Sequence, residues 1–190
     1  MALRAPRSLY IVLGVLLILI LWVWSGYNGL IRAKANVDGM WAQVETQYQR
    51  RFDLVSNLVA TVKGAAQFEQ STFTAVTEAR TKWMDAGGDR GQQISAATSF
   101  DSALSRLLVT VEAYPQLQAT QAFRDLMTQL EGTENRIATA RRDFNGAVQS
   151  YNVLVKVFPR NILASLFGFG PEPFFASDEG ADKAPAVDFQ

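Results

Sequence analysis

RRDFNGAVQSYNVLVKVFP, residues 141–159, sets Phe144, Val148, Tyr151, Val155 and Phe158 at alternating steps of four and three. That spacing is one face of an α-helix packed along a seam. Asn145 and Asn152 stand beside the seam a heptad apart, and the run stops at Pro159. Read backwards, the period continues through Arg141, Ile137, Glu134, Leu130, Met127 and Phe123, so a single long helix ends here. A second run with the same period passes through Val37, Trp41, Val44, Tyr48, Val55, Leu58, Val62 and Ala65, with Arg51 filling its one gap. Between these two lie shorter patterns. Phe73, Val76, Arg80 and Trp83 mark one helix; Ala97, Leu104, Leu108 and Val111 mark another that ends before Pro115. GGDRG, residues 87–91, separates them with turn-forming residues. No strand-like alternation interrupts, so the spacing predicts an all-α antiparallel four-helix bundle over residues 29–159, with long first and fourth helices.

The bulk composition narrows the chemistry. Lysine plus arginine balance aspartate plus glutamate at 18 each in 190 residues, so net charge points to no nucleic-acid partner. Cysteine is absent, which removes disulfides, thiolate metal ligands and cysteine nucleophiles. Histidine is absent too, and with it the commonest general base and a principal ligand of zinc and iron. A di-iron bundle needs Glu-x-x-His repeats, so no metal or cofactor is expected. Apolar seams rich in aromatics leave little void for a small-molecule substrate.

LYIVLGVLLILILWVW, residues 9–24, carries no charge. About 20 residues at 1.5 Å each span a bilayer core of roughly 30 Å, so residues 9–28 are expected to be a transmembrane anchor behind a short basic flank, 1–8. Tyr10 at one end, with Trp22, Trp24 and Tyr27 at the other, match interfacial aromatic belts. A cleaved signal peptide is the alternative, since Ala33-Lys34-Ala35 resembles a cleavage site. The long apolar core and the distance of that site from it favour the anchor. Arg4 and Arg7 before the segment tie with Arg32 and Lys34 after it. The α-amino group and the acid-free N-terminal flank then favour an N-terminus inside and a bundle outside the cytoplasm.

The two long helices are of similar length, so an antiparallel fourth helix returns to the bilayer and Phe158-Pro159 reaches its surface. RNILASLFGFGPEPFF, residues 160–175, then reads as an interfacial segment, with Phe167, Phe169, Phe174 and Phe175 beside Trp22, Trp24 and Tyr27. The alternative is that these rings only cap the open end of the bundle. Antiparallel register puts Arg51 opposite Glu134 and Arg141 opposite Glu45. These are expected as register-setting polar pairs, with a polar functional site as the other option. Asn145 and Asn152 sit at the height of Asn28 and Asn36, which suggests interhelical hydrogen bonds or surface recognition. The tail ASDEGADKAPAVDFQ, residues 176–190, is acidic and expected to be flexible. Val187 and Phe189 within it have the alternation of a strand that adds to a partner's sheet edge, against the plainer reading of an inert terminus.

YNGLIRAKANVDGMWAQVETQYQRRFDLVSNLVATVKG, EAYPQL, LEGTENRIATARRDFNGAVQSYNVLVKVFP and the closing FGF and PFF together resemble the LemA family along nearly the whole chain. The departures are small: Phe144-Asn145 stands where the family usually has Tyr-Asn, and Ser56 where proline is common. The resemblance implies a bacterial membrane-anchored four-helix domain, expected in the inner membrane, and no catalytic residues to carry over. The expected function is thus a non-enzymatic scaffold or adaptor that binds a membrane protein partner or self-assembles as a homo-oligomer at the lipid bilayer. A hydrolase built on Glu112, Glu131 and Glu134 is the rival, and their spread along helices speaks against it.

Overall fold

The computed structural model describes residues 7–63 and 70–175 of the protein, and every element there is helical. The helices are α1 (Arg7–Lys63), α2 (Gln70–Asp85), α3 (Arg90–Val111), α4 (Pro115–Gln118), α5 (Gln121–Lys156) and α6 (Arg160–Leu166). Ala65, the last position of the first helix's predicted period, and the acidic tail lie outside the described residues.

α1 runs 57 residues without a break, about 85 Å at 1.5 Å per residue. No proline falls within it, and it continues through Gly26 and Gly29 as helix. The α2–α3 connection turns on Gly87 (φ 53°) and Gly88 (φ 97°), left-handed conformations that a residue without Cβ adopts freely. Asp89 then caps α3, its carboxylate accepting from the Gln92 N–H at 3.0 Å. Pro115 opens the single turn of α4, and Thr120 starts α5 by accepting from the Phe123 N–H at 3.3 Å. α6 closes on Gly168 (φ 74°), with the Phe169 N–H reaching the Ala164 carbonyl at 2.8 Å in a Schellman arrangement.

The chain divides into two compact units. The first contains α1 up to Arg50, α5 from Thr133, α6 and the segment to Glu172. Its core joins Leu30, Val37, Trp41, Val44 and Tyr48 to Ile137, Phe144, Val148, Tyr151 and Leu163, all buried. Trp41 meets Phe144 edge-on at 5.0 Å, and the Lys34 ammonium lies 5.9 Å from the centre of the Tyr151 ring. Residue numbers fall on one helix as they rise on the other, so α1 and α5 run antiparallel in this unit. The predicted seam breaks at the exposed Glu134 and holds from Ile137 through Val155. It fails at Phe158, which is 75 % exposed because α5 ends at Lys156 and the period ends with it.

The second unit contains the remainder of α1 from Arg51, α2, α3, α4 and the start of α5 to Gly132. Phe52 is its centre, packed edge-on against Phe100 at 4.6 Å and Trp83 at 5.8 Å. Neither Phe52 nor Phe100 falls on the spacing that selects the seams, since these helices bury a face wider than one heptad stripe. α2 runs antiparallel to α1, with Lys63 above the Phe73 ring and Arg80 donating to Ser56 at 3.2 Å.

Candidate functional site

Two features of the first unit stand apart from ordinary core packing: a polar clamp on the segment after α6, and a continuous apolar surface beside it. The clamp is built from Lys34 of α1 with Tyr151 and Asn152 of α5. The Asn152 amide pairs with the backbone of Glu172 in both directions. Its Nδ2 donates to the Glu172 carbonyl at 2.9 Å, and its Oδ1 accepts from the Glu172 N–H at 2.8 Å. The Tyr151 hydroxyl donates to the Gly170 carbonyl at 3.0 Å. Lys34 reaches the Glu172 carboxylate and also lies 3.6 Å from Asp38. Burial raises the Tyr151 pKa above its ordinary value near 10.0, and the carboxylates of Glu172 and Asp38 push it further the same way. The phenol therefore stays protonated at physiological pH and remains a donor to Gly170.

The clamp seats α6 against α1. Leu163 packs so closely on Gly26 that a Cβ there would lie 2.4 Å from Leu163 Cδ1. Tyr27 meets Phe167 at 4.9 Å and Phe169 at 5.9 Å between ring centres. Below this contact, α1 is apolar and exposed on all sides from Leu9 to Leu21, and Trp24 is 66 % exposed. It is the one helix among the described residues long and apolar enough to cross a membrane. Leu16, Ile20, Val23, Trp24, Tyr27 and Phe167 line a hollow of about 440 Å³ on this surface. Phe167 and Phe174 are exposed, Trp22 and Phe169 half-buried, and Phe175 is buried at 6 % in the second unit.

Arg51, 8 % exposed, donates from Nη1 to Asp101 at 2.8 Å. Asp101 fills the gap between Ala97 and Leu104 on α3 just as Arg51 fills the gap on α1, a signal available in the spacing but assigned to no partner there. Glu134 is exposed, and Thr133 beside it is buried at 1 %. Arg141 donates from Nη2 to the hydroxyl of the buried Tyr48 and holds its guanidinium 5.4 Å from that ring's centre. Glu45 is half-buried one helical turn from Tyr48. Asn28 and Asn145 are half-buried and Asn36 is exposed, while Asn152 pairs with the chain beyond α6 rather than with α1. Val187 and Phe189 lie outside the described residues. A polar hollow of about 470 Å³ lies between Gln43, Gln47, Asn135, Arg136 and Asp143, and Gln47 Oε1 is buried there without a hydrogen-bond donor.

The chain matches the LemA family over residues 40–189. It is 29 % identical over 206 aligned residues to the magnetosome protein MamQ 2 of Paramagnetospirillum magneticum, covering 94 % of this chain and 76 % of that one. MamQ of Magnetospirillum gryphiswaldense is 28 % identical with the same coverage. Protein LemA of Metamycoplasma hominis is 23 % identical over 72 % of this chain and 63 % of its own length.

Proposed function

The chain belongs to the LemA family, and on that premise we propose that it is a non-enzymatic scaffold or adaptor anchored in a membrane. The observation that carries this reading is the junction at Gly26 and Tyr27. Apolar α1 emerges there with its whole circumference exposed, and α6 lies against it with Phe167 turned outward. Residues 9–28 then cross the bilayer, and Tyr27, Trp24 and Phe167 rest at its interface, where aromatic rings are favoured. The clamp at Asn152 supports this by fixing the segment that carries those rings. The absence of histidine and cysteine supports a structural role over a catalytic one. Partners engage the helical domain outside the bilayer. The polar hollow with its unsatisfied Gln47 Oε1 supports a protein partner, because a buried acceptor without a donor favours whatever supplies one. Relatives named for the magnetosome fit a part in organising a cellular structure. The bacterial inner membrane is the proposed location, with the helical domain outside the cytoplasm, supported by Arg4 and Arg7 on an acid-free flank.

Crosslinking of the full chain in native membranes, followed by mass spectrometry, tests the role. Crosslinks to a membrane protein support the adaptor, and crosslinks between copies support the self-assembling form. Full release of the chain by alkaline carbonate would remove the anchor. A chain retained in the membrane without protein crosslinks would remove the scaffold.

A further inference from the structure

Charge in the first unit is segregated by height. Residues 8–37 and 144–171 contain no aspartate or glutamate, although the chain as a whole is neutral. Both stretches converge where Leu163 meets Gly26 and Phe167 meets Tyr27. They bring four cations with them: Arg32, Lys34, Lys156 and Arg160. Lys34 is neutralised by Asp38 and Glu172. Arg32, Lys156 and Arg160 are exposed and make no ion pair among the described residues.

Their level follows from the register. Lys34 beside Tyr151 and Trp41 beside Phe144 set Lys156 at about the height of residue 29, within one helical turn of Arg32. Arg32 itself lies about 12 Å along the helix from Trp24 at 1.5 Å per residue. With Trp24 at the edge of the hydrocarbon, Arg32 and Lys156 stand in the zone of the lipid phosphates, and Arg160 opens the short helix that seats on Gly26 one turn later through Leu163. Exposed apolar groups surround them, including Phe158 at 75 % and Leu166 at 72 %. Cations interleaved with apolar side chains at one depth are the signature of an interface that reads lipid charge as well as lipid hydrophobicity.

We infer that Arg32, Lys156 and Arg160 form a headgroup site selective for anionic phospholipids around the foot of the helical domain. The inference rests on the membrane-anchored reading above and adds the class of lipid to it. Each cation near an anionic surface shifts a binding equilibrium by roughly fivefold, and the effect weakens within a Debye length as salt rises.

Bilayers with brominated acyl chains separate this inference from the reading beneath it. Trp22 and Trp24 lie on the apolar segment, whereas Trp41 and Trp83 are buried at 5 % and 7 %, so lipid quenching reports the anchor. The full chain is reconstituted into dioleoyl phosphatidylcholine containing either brominated phosphatidylcholine or brominated phosphatidylglycerol at equal mole fraction. The expected result is quenching by both, with phosphatidylglycerol preferred by at least about fivefold at low salt and near onefold in molar salt. The combined variant Arg32→Gln, Lys156→Gln, Arg160→Gln should retain quenching and helical content but lose the preference. The charge-keeping variant Arg32→Lys, Lys156→Arg, Arg160→Lys should hold it. Equal quenching by the two lipids in the unmodified chain, or a preference that survives the glutamine variant, overturns the lipid selectivity and leaves the anchor standing. Absence of quenching by either lipid overturns both.

Discussion

Asn152 performs with one side chain what a neighbouring strand would perform with its backbone, donating to and accepting from Glu172 at 2.9 and 2.8 Å. Asn152→Leu should therefore leave two backbone groups without partners, at a cost of about 1–3 kcal/mol for each that water does not reach. Hydrogen exchange of the Glu172 amide is the direct measurement. It should accelerate in Asn152→Leu, whereas protection equal to the unmodified chain would show that the segment is held by something else. Asn152→Asp should give an intermediate result, since it keeps the acceptor and loses the donor. Tyr151 makes a prediction in pH. Its folded pKa is raised above the ordinary value near 10.0, so its contribution to stability is complete below pH 10. Above that, the unfolded chain releases its proton first, and stability falls as pH rises toward the folded value. Tyr151→Phe should abolish this part of the alkaline decline, read as the difference in thermal midpoint between the two chains across pH 9 to 11. Parallel curves would contradict the buried phenol. The sequence makes Asn152 conspicuous as an amide beside an apolar seam. Its partner was illegible there, because a backbone N–H and C=O in a glycine- and proline-rich run have no side-chain signature.

Elements were legible in proportion to their length. α1, α2, α3 and α5 repeat their period often enough to be placed from spacing, and α3 announces itself further through Asp89 and the two glycines before it. α4 has four residues and α6 seven, too few turns for a period to emerge. α6 exists because Gly168 closes it and Leu163 and Ala164 bury against the first unit, which are tertiary facts. Phe158 shows the converse error: the heptad count runs on through it, but the helix has already ended. The α6 contact yields a test of its own. Gly26→Val should drive a side chain into Leu163 and cost about 1–3 kcal/mol as overpacking, seen as a lowered thermal midpoint in detergent. Leu163→Ala in the same chain should recover part of the loss, because it opens the space the valine needs. Independent, additive effects of the two changes would mean that α6 does not seat on Gly26.

For the whole molecule, the proposed orientation of the apolar end of α1 can be read out at position 88. Gly88 lies in an exposed turn where an added Cβ would meet nothing within 4 Å, so a cysteine there adds a unique thiol to a chain that has none, at the cost of local strain from its left-handed φ of 97°. An impermeant maleimide should label it in intact cells whose outer barrier has been opened. Labelling only after the inner membrane is lysed reverses the proposed orientation. The apolar stretch from Leu9 to Tyr27 and the stretch from Val37 to Tyr48 that packs on α5 belong to a single rod with no hinge between them. A span too long for a thin bilayer relieves the mismatch by leaning over. Here the helices fastened to the rod in the first unit must lean by the same angle. On the proposed anchoring the protein would act as a gauge, the thickness of the bilayer setting the direction in which that unit points.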